Sequence, residues 1–478
     1  MNIKFETKIS ELKHKVLVKV ATLAYQDRLL EGYSYIPQEI KPGPTATMRC
    51  CNHKEQAILR ERVKLACGGD SRNPNIMEVI KIACDECPLG GYTVTNVCRG
   101  CIAHYCLEAC PKKCIYIDPI DHTAKIDKCK CINCGLCAKA CPYNAIINYR
   151  RPCETACHVD AITIDQYGAC EIDNNKCVSC GHCSVKCPFG AIMDKSYLLD
   201  AIDILKDKKN EKYNKYAIVA PAIAGQFRGV SYEQVVTGIK KLGFTHVVEA
   251  ALGADLVAIA ESQELIDKGF LTSSCCPAFV ELIKKHYPTV APHISHNLSP
   301  QATIAKYIKS KDNTAKTIFI GPCMAKKAEI KKEEESKWTD VVLTFEELLA
   351  LFVSREIELD TLEATSLTDA SYYGRIFGRV GGLTEAVTQA IKELEVAGFE
   401  FKQLICDGIV NCRSALNKTK SGTKEFNFLE GMVCEGGCVG GPAVISKGIR
   451  NKIEVDKFAK TTTKETIKSS IKDVEKND

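Results

Sequence analysis

Several features of membrane, secreted and nucleic-acid-binding proteins are absent from this sequence of 478 residues. No run approaches the roughly 18 apolar residues that a membrane-spanning helix needs. The first 20 residues contain neither an apolar stretch of about 7–15 residues nor a small-residue cleavage site, so no signal peptide is visible. The net charge of +5 is too small to indicate a nucleic-acid-binding surface, although it permits docking to an acidic carrier. We therefore expect a cytoplasmic protein that binds neither membranes nor nucleic acid.

Cysteine, in contrast, is abundant and unevenly distributed. Of the 29 cysteines, 22 lie at or before Cys187 and only seven lie after it. A small secreted disulfide scaffold is excluded, because the chain is long enough for two or three domains with cores of their own. We expect cysteines that are reduced or bound to metal.

The composition divides the chain into four regions. Residues 1–92 mix helical patterning with five scattered cysteines, and residues 93–195 are dense in cysteine with short apolar pieces. Residues 215–455 alternate apolar runs with helical stretches and predict an α/β domain, which a charged linker near 205–215 precedes. Residues 456–478 form a charged tail, either a solvated helix or a frayed end. The predicted fold class is therefore mixed α+β and α/β.

The cysteine-dense region contains an internal repeat. The pattern C-x2-C-x2-C-x3-C-P occurs twice in full, once expanded and once truncated, at Cys131, Cys134, Cys137, Cys141; Cys177, Cys180, Cys183, Cys187; Cys98, Cys101, Cys106, Cys110; and Cys153, Cys157. Three thiolates two residues apart surround one face of an iron–sulfur cubane, and the fourth turns to a partner cluster. Zinc sites usually need two C-x2-C pairs instead. The repeat predicts 4Fe–4S clusters.

These modules resemble the bacterial-type ferredoxin domain with two 4Fe–4S clusters. The resemblance implies three clusters, held by Cys98, Cys101, Cys106 and Cys141; by Cys131, Cys134, Cys137 and Cys110; and by Cys177, Cys180, Cys183 and Cys157.

A fourth cluster at Cys153 and Cys187 is left open by the sequence. Where the pattern calls for two further cysteines upstream, the chain has Ile147 and Arg150. Either the site is empty, or cysteines from elsewhere complete it (Cys170, Cys129). The pair Cys84 and Cys87, with Cys50 and Cys51, is a separate candidate for a metal site. The total is therefore three to four accessory clusters.

Five of the seven late cysteines fall in three short motifs. They are T-S-S-C-C-P at 272–277, G-P-C-M-A-K-K-A-E at 321–329 and M-V-C-E-G-G-C-V-G-G-P at 432–442. The first two each follow a predicted strand and open a predicted helix, where unpaired amides stabilise a thiolate. Four cysteines from three segments predict one more 4Fe–4S cluster in the crevice of the α/β domain.

The three motifs resemble the signature segments of FeFe-hydrogenases, and the resemblance covers residues 215–455. The N-terminal block looks like the monomeric group B branch of that family. The resemblance implies a two-lobed catalytic domain that binds an H-cluster, which is a 4Fe–4S cubane joined to a diiron subsite carrying CO, cyanide and an azadithiolate. The implied cubane ligands are Cys276, Cys323, Cys434 and Cys438, with Cys438 bridging to the diiron subsite.

The same resemblance implies a proton relay through Cys275, Glu261, Ser295 and Glu264. It also implies that Lys326 hydrogen-bonds a cyanide, that Ala220 and Pro221 cover the subsite, and that Met432 lies near a bridging CO. Without the resemblance, the glutamates would be a solvated helix face, Ser295 a cap and Lys326 a surface lysine. Cys406 and Cys412 match no ligand position and are interpreted as structural.

This chain departs from the family pattern at a few positions beside the subsite. Phe279 stands where the family has Trp, Gly321 where it has Met and Ala222 where it often has Ser, and Pro442 interrupts a run of glycines. Loss of side chains at Gly321 and Ala222 predicts altered contacts to the diiron ligands.

The leading functional hypothesis is a hydrogenase that interconverts protons and H2 with electrons from ferredoxin. Maturation proteins would install the diiron subsite. One alternative is an H2-sensing relative with low turnover, and another is an assembly factor that resembles hydrogenases without the diiron site. The presence of Cys275, Lys326 and Cys438 favours the enzyme.

Overall fold

The computed structural model describes residues 5–88, 90–206, 213–396, 398–422 and 425–475. Most of the linker predicted near 205–215 lies outside these residues. Among the described helices, none has both the length and the apolar character needed to cross a membrane.

The α-helices are numbered in chain order. They are α1 Lys8–Tyr25, α2 Leu29–Gly32, α3 Ile36–Ile40, α4 Asn52–Ala66, α5 Tyr105–Glu108, α6 Leu136–Ala140, α7 Pro152–Ala156, α8 His182–Lys186, α9 Leu198–Lys206, α10 Tyr232–Lys241, α11 Ala250–Lys268, α12 Pro277–His286, α13 Pro300–Lys311, α14 Met324–Glu329, α15 Phe345–Ser354, α16 Tyr372–Ile376, α17 Gly382–Glu393, α18 Gly408–Lys420, α19 Ile449–Ala459 and α20 Ile467–Glu475.

The β-strands are numbered in the same way. They are β1 Met77–Val79, β2 Gly91–Val94, β3 Ile115–Ile117, β4 Ala124–Ile126, β5 Ile146–Tyr149, β6 Ile162–Ile164, β7 Cys170–Ile172, β8 Ile192–Asp194, β9 Lys215–Val219, β10 His246–Glu249, β11 Leu271–Thr272, β12 Lys316–Gly321, β13 Val341–Thr344, β14 Gln403–Asp407 and β15 Phe428–Met432.

Two parallel sheets form the centre of the C-terminal half. One has the strand order β10-β9-β12-β13 and the other β11-β15-β14. Their strands are mostly buried on both faces, as the near-continuous apolar runs in the sequence predict. Because parallel strands present their carboxyl ends at one edge, residues that follow β9, β11, β12 and β15 are placed to meet in a crevice.

Local signals in the sequence account for several helix ends. Ser231 and Thr344 each accept a hydrogen bond from the third residue of the following helix, forming capping boxes for α10 and α15. Helix α11 ends at Gly269, whose φ of +74° is the left-handed conformation that glycine adopts without strain. Helix α4 ends at Ala66, just before Gly68 and Gly69.

The cysteine-dense half is built from antiparallel strand pairs. These pairs are β1 with β8, β2 with β5, β3 with β4 and β6 with β7. The predicted region boundary between residues 92 and 93 falls inside β2, and the predicted boundary between residues 455 and 456 falls inside α19. A strand and a helix therefore continue across these two boundaries. Ile467 and Ile471 of α20 are buried, and this helix packs against α11 and α17. That part of the predicted tail is therefore a docked helix.

A buried ion cluster joins the N-terminal part to the C-terminal half. Lys327 is fully buried, and its Nζ donates to Asp194 at 2.7 Å and to Glu347 at 2.8 Å. Asp194 also accepts from Lys13 of α1 at 2.7 Å. Burial lowers the pKa of Lys327, but the two carboxylates outweigh it and hold the pKa above its ordinary value. The ammonium group is thus charged and fully paired.

Replacing Lys327 by Met should destabilise the fold strongly. The substitution leaves Asp194 and Glu347 buried without their shared cation, and breaking a buried pair in this way costs about 3–5 kcal/mol. Urea unfolding of the reconstituted chain measures the effect. Lys332→Met is the matched control, because Lys332 is partly exposed and, within the described part of the chain, forms an ion pair with Glu281 alone, so it should cost about 1 kcal/mol or less. Equal costs for the two variants would contradict the role given to the cluster.

Candidate active site

The four predicted cubane cysteines lie at the carboxyl ends of strands from both sheets. Cys276 follows β11 and caps α12, and Cys323 follows β12 and caps α14. Cys434 and Cys438 follow β15, with Cys438 opening a single 3-10 turn. The sequence prediction that the first two motifs join a strand to a helix is therefore confirmed.

A cavity lies between the two sheets at this edge. Its lining brings together residues that are far apart in the sequence: Ala220, Pro221, Cys275, Cys276, Lys326, Met432 and Cys438. The lining is mostly apolar, and its few polar groups include Lys326 and Gln301. This is the character of a site that holds a cofactor away from water.

The four cysteines interact electrostatically with one another. Burial raises the pKa of the Cys323 thiol to about 12, with further contributions from Cys276 and Cys438. Burial also raises the pKa of the Cys434 thiol well above its ordinary value, and Cys323 and Cys276 raise it further. Within the described residues, no group of three or more His, Cys, Asp or Glu side chains is arranged to hold a single metal ion. Four converging buried sulfurs fit a multi-iron cubane, in which each sulfur binds a different iron.

Cys275 lies beside this set with its side chain at the cavity. Burial raises the pKa of the Cys275 thiol well above its ordinary value, and the neighbouring Glu261 carboxylate raises it further. Glu261 is fully buried on α11, and its Oε1 accepts from the Ser274 backbone N–H and hydroxyl, both at 3.1 Å. Burial raises the pKa of Glu261 to about 7, against the lowering effect of the hydrogen bonds from Ser274. Within the described residues, the other carboxylate oxygen of Glu261, Oε2, has no hydrogen-bond partner.

Ser295 hydrogen-bonds a second glutamate, which lies nearer the surface than Glu261. The Ser295 hydroxyl donates to Glu264 Oε2 at 3.1 Å. Glu264 lies one helical turn from Glu261, and its side chain is 13% exposed where Glu261 is fully buried. Side-chain exposure therefore increases from Glu261 through Ser295 to Glu264. A proton path from the cavity to solvent requires such an increase.

Sequence reasoning missed the groups that hold Glu264. Its carboxylate accepts from Lys268 at 2.6 Å, from the backbone and ring of His296, and from Asn297 at 2.9 Å. Burial raises the pKa of Glu264, but the hydrogen bonds from Lys268 and His296 outweigh it and leave the pKa below its ordinary value. Of these partners, the sequence could have predicted only Lys268, because it lies four residues after Glu264 on the same helix.

Lys326 is buried rather than on the surface. It lines the cavity, and its Nζ donates to Glu329 at 2.9 and 3.2 Å. Glu329 also accepts from Gln301 at 2.6 Å. Sequence reasoning did not single out Glu329 or Gln301. Glu329 orients the lysine through its hydrogen bonds, and Gln301 in turn holds Glu329.

Two of the departures from the family pattern have visible structural counterparts. A Cβ at Gly321 would lie 2.6 Å from the ring of Phe319, which itself lines the cavity. Phe319 therefore occupies the space that a side chain at 321 would need. Phe279 is fully buried, and its ring lies where a Cβ on Gly431 would lie. The absence of a side chain at Gly431 therefore makes room for the ring of Phe279.

The accessory cluster sites predicted in the first ferredoxin module are also assembled. One small cavity is lined by Cys98, Cys101, Cys106 and Cys141. A second is lined by Cys110, Cys131, Cys134 and Cys137. Each cavity thus collects three cysteines of one motif and the last cysteine of the other, as the ferredoxin resemblance implies.

The third predicted cluster site lies next to the candidate cubane. Burial raises the pKa of the Cys180 thiol to about 12, and Cys177, Cys157 and Cys276 raise it further. Cys180 in turn raises the pKa of Cys434. The sulfurs of the accessory site and of the cubane site are therefore close neighbours.

Comparison with known proteins places these sites in a family. Residues 213–442 match the model described as "Iron only hydrogenase large subunit, C-terminal domain". This chain is an FeFe-hydrogenase-like protein. Residues 97–145 match a 4Fe-4S dicluster domain and residues 170–193 a 4Fe-4S binding domain, so ferredoxin-type domains precede the hydrogenase domain.

Three relatives show the range of functions near this FeFe-hydrogenase-like protein. The Periplasmic Fe hydrogenase large subunit of Nitratidesulfovibrio vulgaris is 27% identical over 72% of this chain and 90% of the relative. Iron hydrogenase 1 of Clostridium pasteurianum is 27% identical over 47% of this chain and 48% of the relative. Cytosolic Fe-S cluster assembly factor NAR1 of Debaryomyces hansenii is 33% identical over 32% of this chain and 33% of the relative. The chain thus spans about half of the second relative and a third of the third.

Proposed function

We propose that this FeFe-hydrogenase-like protein catalyses the reversible reduction of protons to H2. The observation that carries the proposal is the polar series Glu261, Ser295 and Glu264, which starts beside Cys275 at the cavity and ends at the surface. A protein that only stores or assembles clusters has no need of a proton path to the same cavity.

The cavity residues fit an H-cluster. Cys276, Cys323, Cys434 and Cys438 would hold its cubane, and Cys438 would link it to the diiron subsite. When bound, this cofactor supplies the redox and hydrogen-binding chemistry. The protein's residues orient it, exclude water and move protons.

The residues of the relay act as proton carriers in sequence. Glu264 takes a proton at the surface, Ser295 passes it inward between the two carboxylates, and Glu261 holds it. Because the pKa of Glu261 is raised to about 7, this carboxyl can both accept and release a proton near neutral pH. Cys275 then delivers the proton into the cavity as a buried neutral thiol.

Four further side chains shape the cavity. Lys326 presents a buried cation, held by Glu329, to an anionic ligand such as cyanide. Met432, with Ala220 and Pro221, gives an apolar surface that excludes water from the same space.

Electrons would arrive through the accessory clusters from a ferredoxin-type carrier. The proximity of Cys180 to Cys276 and Cys434 puts the last accessory site beside the cubane site. Hydrogenase maturation proteins are the further partners that the proposed cofactor requires. A cytoplasmic location stays a prediction, since the named relatives include a periplasmic and a cytosolic protein.

The similarity to the NAR1 assembly factor gives a second candidate, a protein of cluster assembly without hydrogen turnover. An H2 sensor with low turnover is the other alternative. Infrared spectroscopy and an H2 assay on protein coexpressed with maturation proteins separate the three. We expect CO and cyanide bands together with sustained H2 production from reduced ferredoxin. Bands with little turnover would favour a sensor, and full cubane iron without bands would favour an assembly factor.

A further inference from the structure

The strand pair β1–β8 frames the second ferredoxin module in the way that β2–β5 frames the first. In the first module, Cys98 and Cys101 follow β2, and β5 returns to pair with β2. In the second, Cys84 and Cys87 follow β1, and β8 returns to pair with β1. The strand β1 thus opens the second module, although the whole first module lies between β1 and the rest of it.

The remaining elements of the two modules correspond one to one. Each has a hairpin, β3–β4 in the first and β6–β7 in the second. Cys110 lies five residues before the hairpin begins at Ile115, and Cys157 lies five residues before its hairpin begins at Ile162. By this register, Cys106 corresponds to Cys153, the cysteine four positions earlier in each module.

Hydrogen bonds to the cysteine sulfurs confirm the register. The amide of residue 114 donates to Cys110 Sγ at 3.4 Å, and that of residue 161 donates to Cys157 Sγ at 3.3 Å. The last cysteines repeat the pattern, with the amide of residue 145 on Cys141 at 3.4 Å and that of residue 191 on Cys187 at 3.3 Å.

The first cysteines also correspond. The amide of Ala124, the first residue of β4, donates to Cys98 Sγ at 3.4 Å. Cys170 is the first residue of β7, and its thiol and backbone amide both hydrogen-bond Cys84. Cys84 therefore occupies the place of Cys98, and Cys170 occupies the place of an alanine that binds no cluster.

We propose that Cys84, Cys87, Cys153 and Cys187 hold a fourth accessory 4Fe–4S cluster, in a ferredoxin module that is split by insertion of the first module. Cys84 and Cys87 supply the two ligands that are missing at Ile147 and Arg150. Cys84, Cys153 and Cys187 are buried in one cluster of packed side chains, and Cys87 lies three residues after Cys84. This proposal is independent of hydrogen turnover.

Arg151 joins the two ends of the insertion. It is 1% exposed, and its guanidinium donates to the carbonyl oxygens of Pro88 at 3.1 Å and Cys87 at 3.4 Å. Residues 88 and 151, which flank the inserted module, are therefore held side by side. This contact allows Cys87 to reach the same site as Cys153.

Two buried cations beside the site favour an anionic occupant. Arg151 and Arg62 are 1% and 3% exposed, and within the described residues neither forms an ion pair with a carboxylate. Arg151 donates to the carbonyl oxygen of Cys87, and Arg62 donates to the carbonyl oxygens of residues 189 and 190, which follow Cys187. Buried charges are normally paired, and a cluster held by four thiolates supplies the missing negative charge.

The other candidate ligands are placed differently. Cys129 is exposed in the loop after β4, and Cys50 and Cys51 are exposed before α4. Cys170 is close to the site, but its counterpart in the first module is Ala124. The site also adjoins the third cluster, because Cys157 and Cys183 pack against the same group of buried side chains as Cys153 and Cys187. The fourth cluster therefore extends the electron-transfer chain.

Iron and acid-labile sulfide analysis of the anaerobically reconstituted full chain, without the diiron subsite, tests this proposal. Five cubanes predict about 20 iron atoms per chain, and an empty fourth site predicts about 16. The double variant Cys84→Ala/Cys87→Ala should lose about four iron atoms and keep the rest.

Cys170→Ala is the matched control and should keep the full iron content. Loss of four iron atoms in this control would overturn the ligand assignment, as would about 16 iron atoms in the unmodified chain. One zinc per chain in place of four iron atoms would overturn the identity of the occupant. If the double variant does not fold, the iron count of the unmodified chain and of Cys170→Ala still decides the question.

Discussion

Replacing Cys275 by Ala should abolish most H2 turnover while leaving every cluster in place. Cys275 lines the cavity and is not one of the four cysteines proposed to hold the cubane, so on this proposal its removal takes away a proton carrier and no ligand. Loss of a positioned general acid typically lowers turnover by about 10²- to 10⁴-fold. The measurements are H2 production from reduced ferredoxin, iron content and the infrared bands of the CO and cyanide ligands.

Cys406→Ala is the control for this experiment. Cys406 is buried in β14 and does not line the cavity, so the same substitution there should keep turnover within a few-fold. Unchanged turnover in Cys275→Ala would refute the relay. Loss of iron in that variant would instead show that Cys275 is a ligand.

Replacing Glu261 by Gln should have the second largest effect on turnover. Glutamine keeps an oxygen that can accept from Ser274 but cannot carry a proton between Ser295 and Cys275. We expect a loss of about 10²-fold or more in H2 production. Glu281→Gln, on the surface side of α12, is the matched control and should leave turnover unchanged.

The pH dependence provides a second readout for Glu261. Since its pKa is raised to about 7, H2 production by the unmodified protein should decline as the pH rises through about 7 and the relay loses its proton. The residual turnover of Glu261→Gln should lack this step. A step of the same size in the variant would assign the titration to another group.

Folding stability distinguishes this loss from misfolding. A raised pKa means that the protonated carboxyl favours the folded state, so its contribution is complete below about pH 4.5 and is lost as the pH rises through about 7. Glutamine carries no charge at any of these pH values. The variant should therefore be at least as stable as the unmodified protein at pH 8, measured by thermal unfolding, and a lower stability there would make the activity loss structural.

The role of Lys326 illustrates how burial changes the interpretation of a residue. In the sequence it is one of several lysines in a short segment, and a surface position is the ordinary expectation. The structure buries it at the cavity and buries its neighbour Lys327 in a separate ion cluster with Asp194 and Glu347. Adjacent residues on a helix point in different directions, so their separate roles depend on what packs on each side.

The sequence by itself determined the parts of this protein that depend on local spacing. Ligand spacing within one motif, as in Cys131, Cys134 and Cys137, is set by a few backbone dihedral angles and is readable without a structure. The strand-to-helix turns that carry Cys276 and Cys323 were readable for the same reason. Family resemblance then supplied the distant relay members Glu261 and Ser295.

Only the tertiary structure decided which distant segments meet. Cys84 and Cys87 are more than 60 residues from Cys153. No local sequence pattern predicts that the chain between them folds as a complete module and that Arg151 then lies beside Cys87. The pairing of β1 with β8 makes that connection, through backbone hydrogen bonds that any sequence can form. Because such long-range pairing leaves little trace in residue spacing, the split module became visible only in the assembled fold.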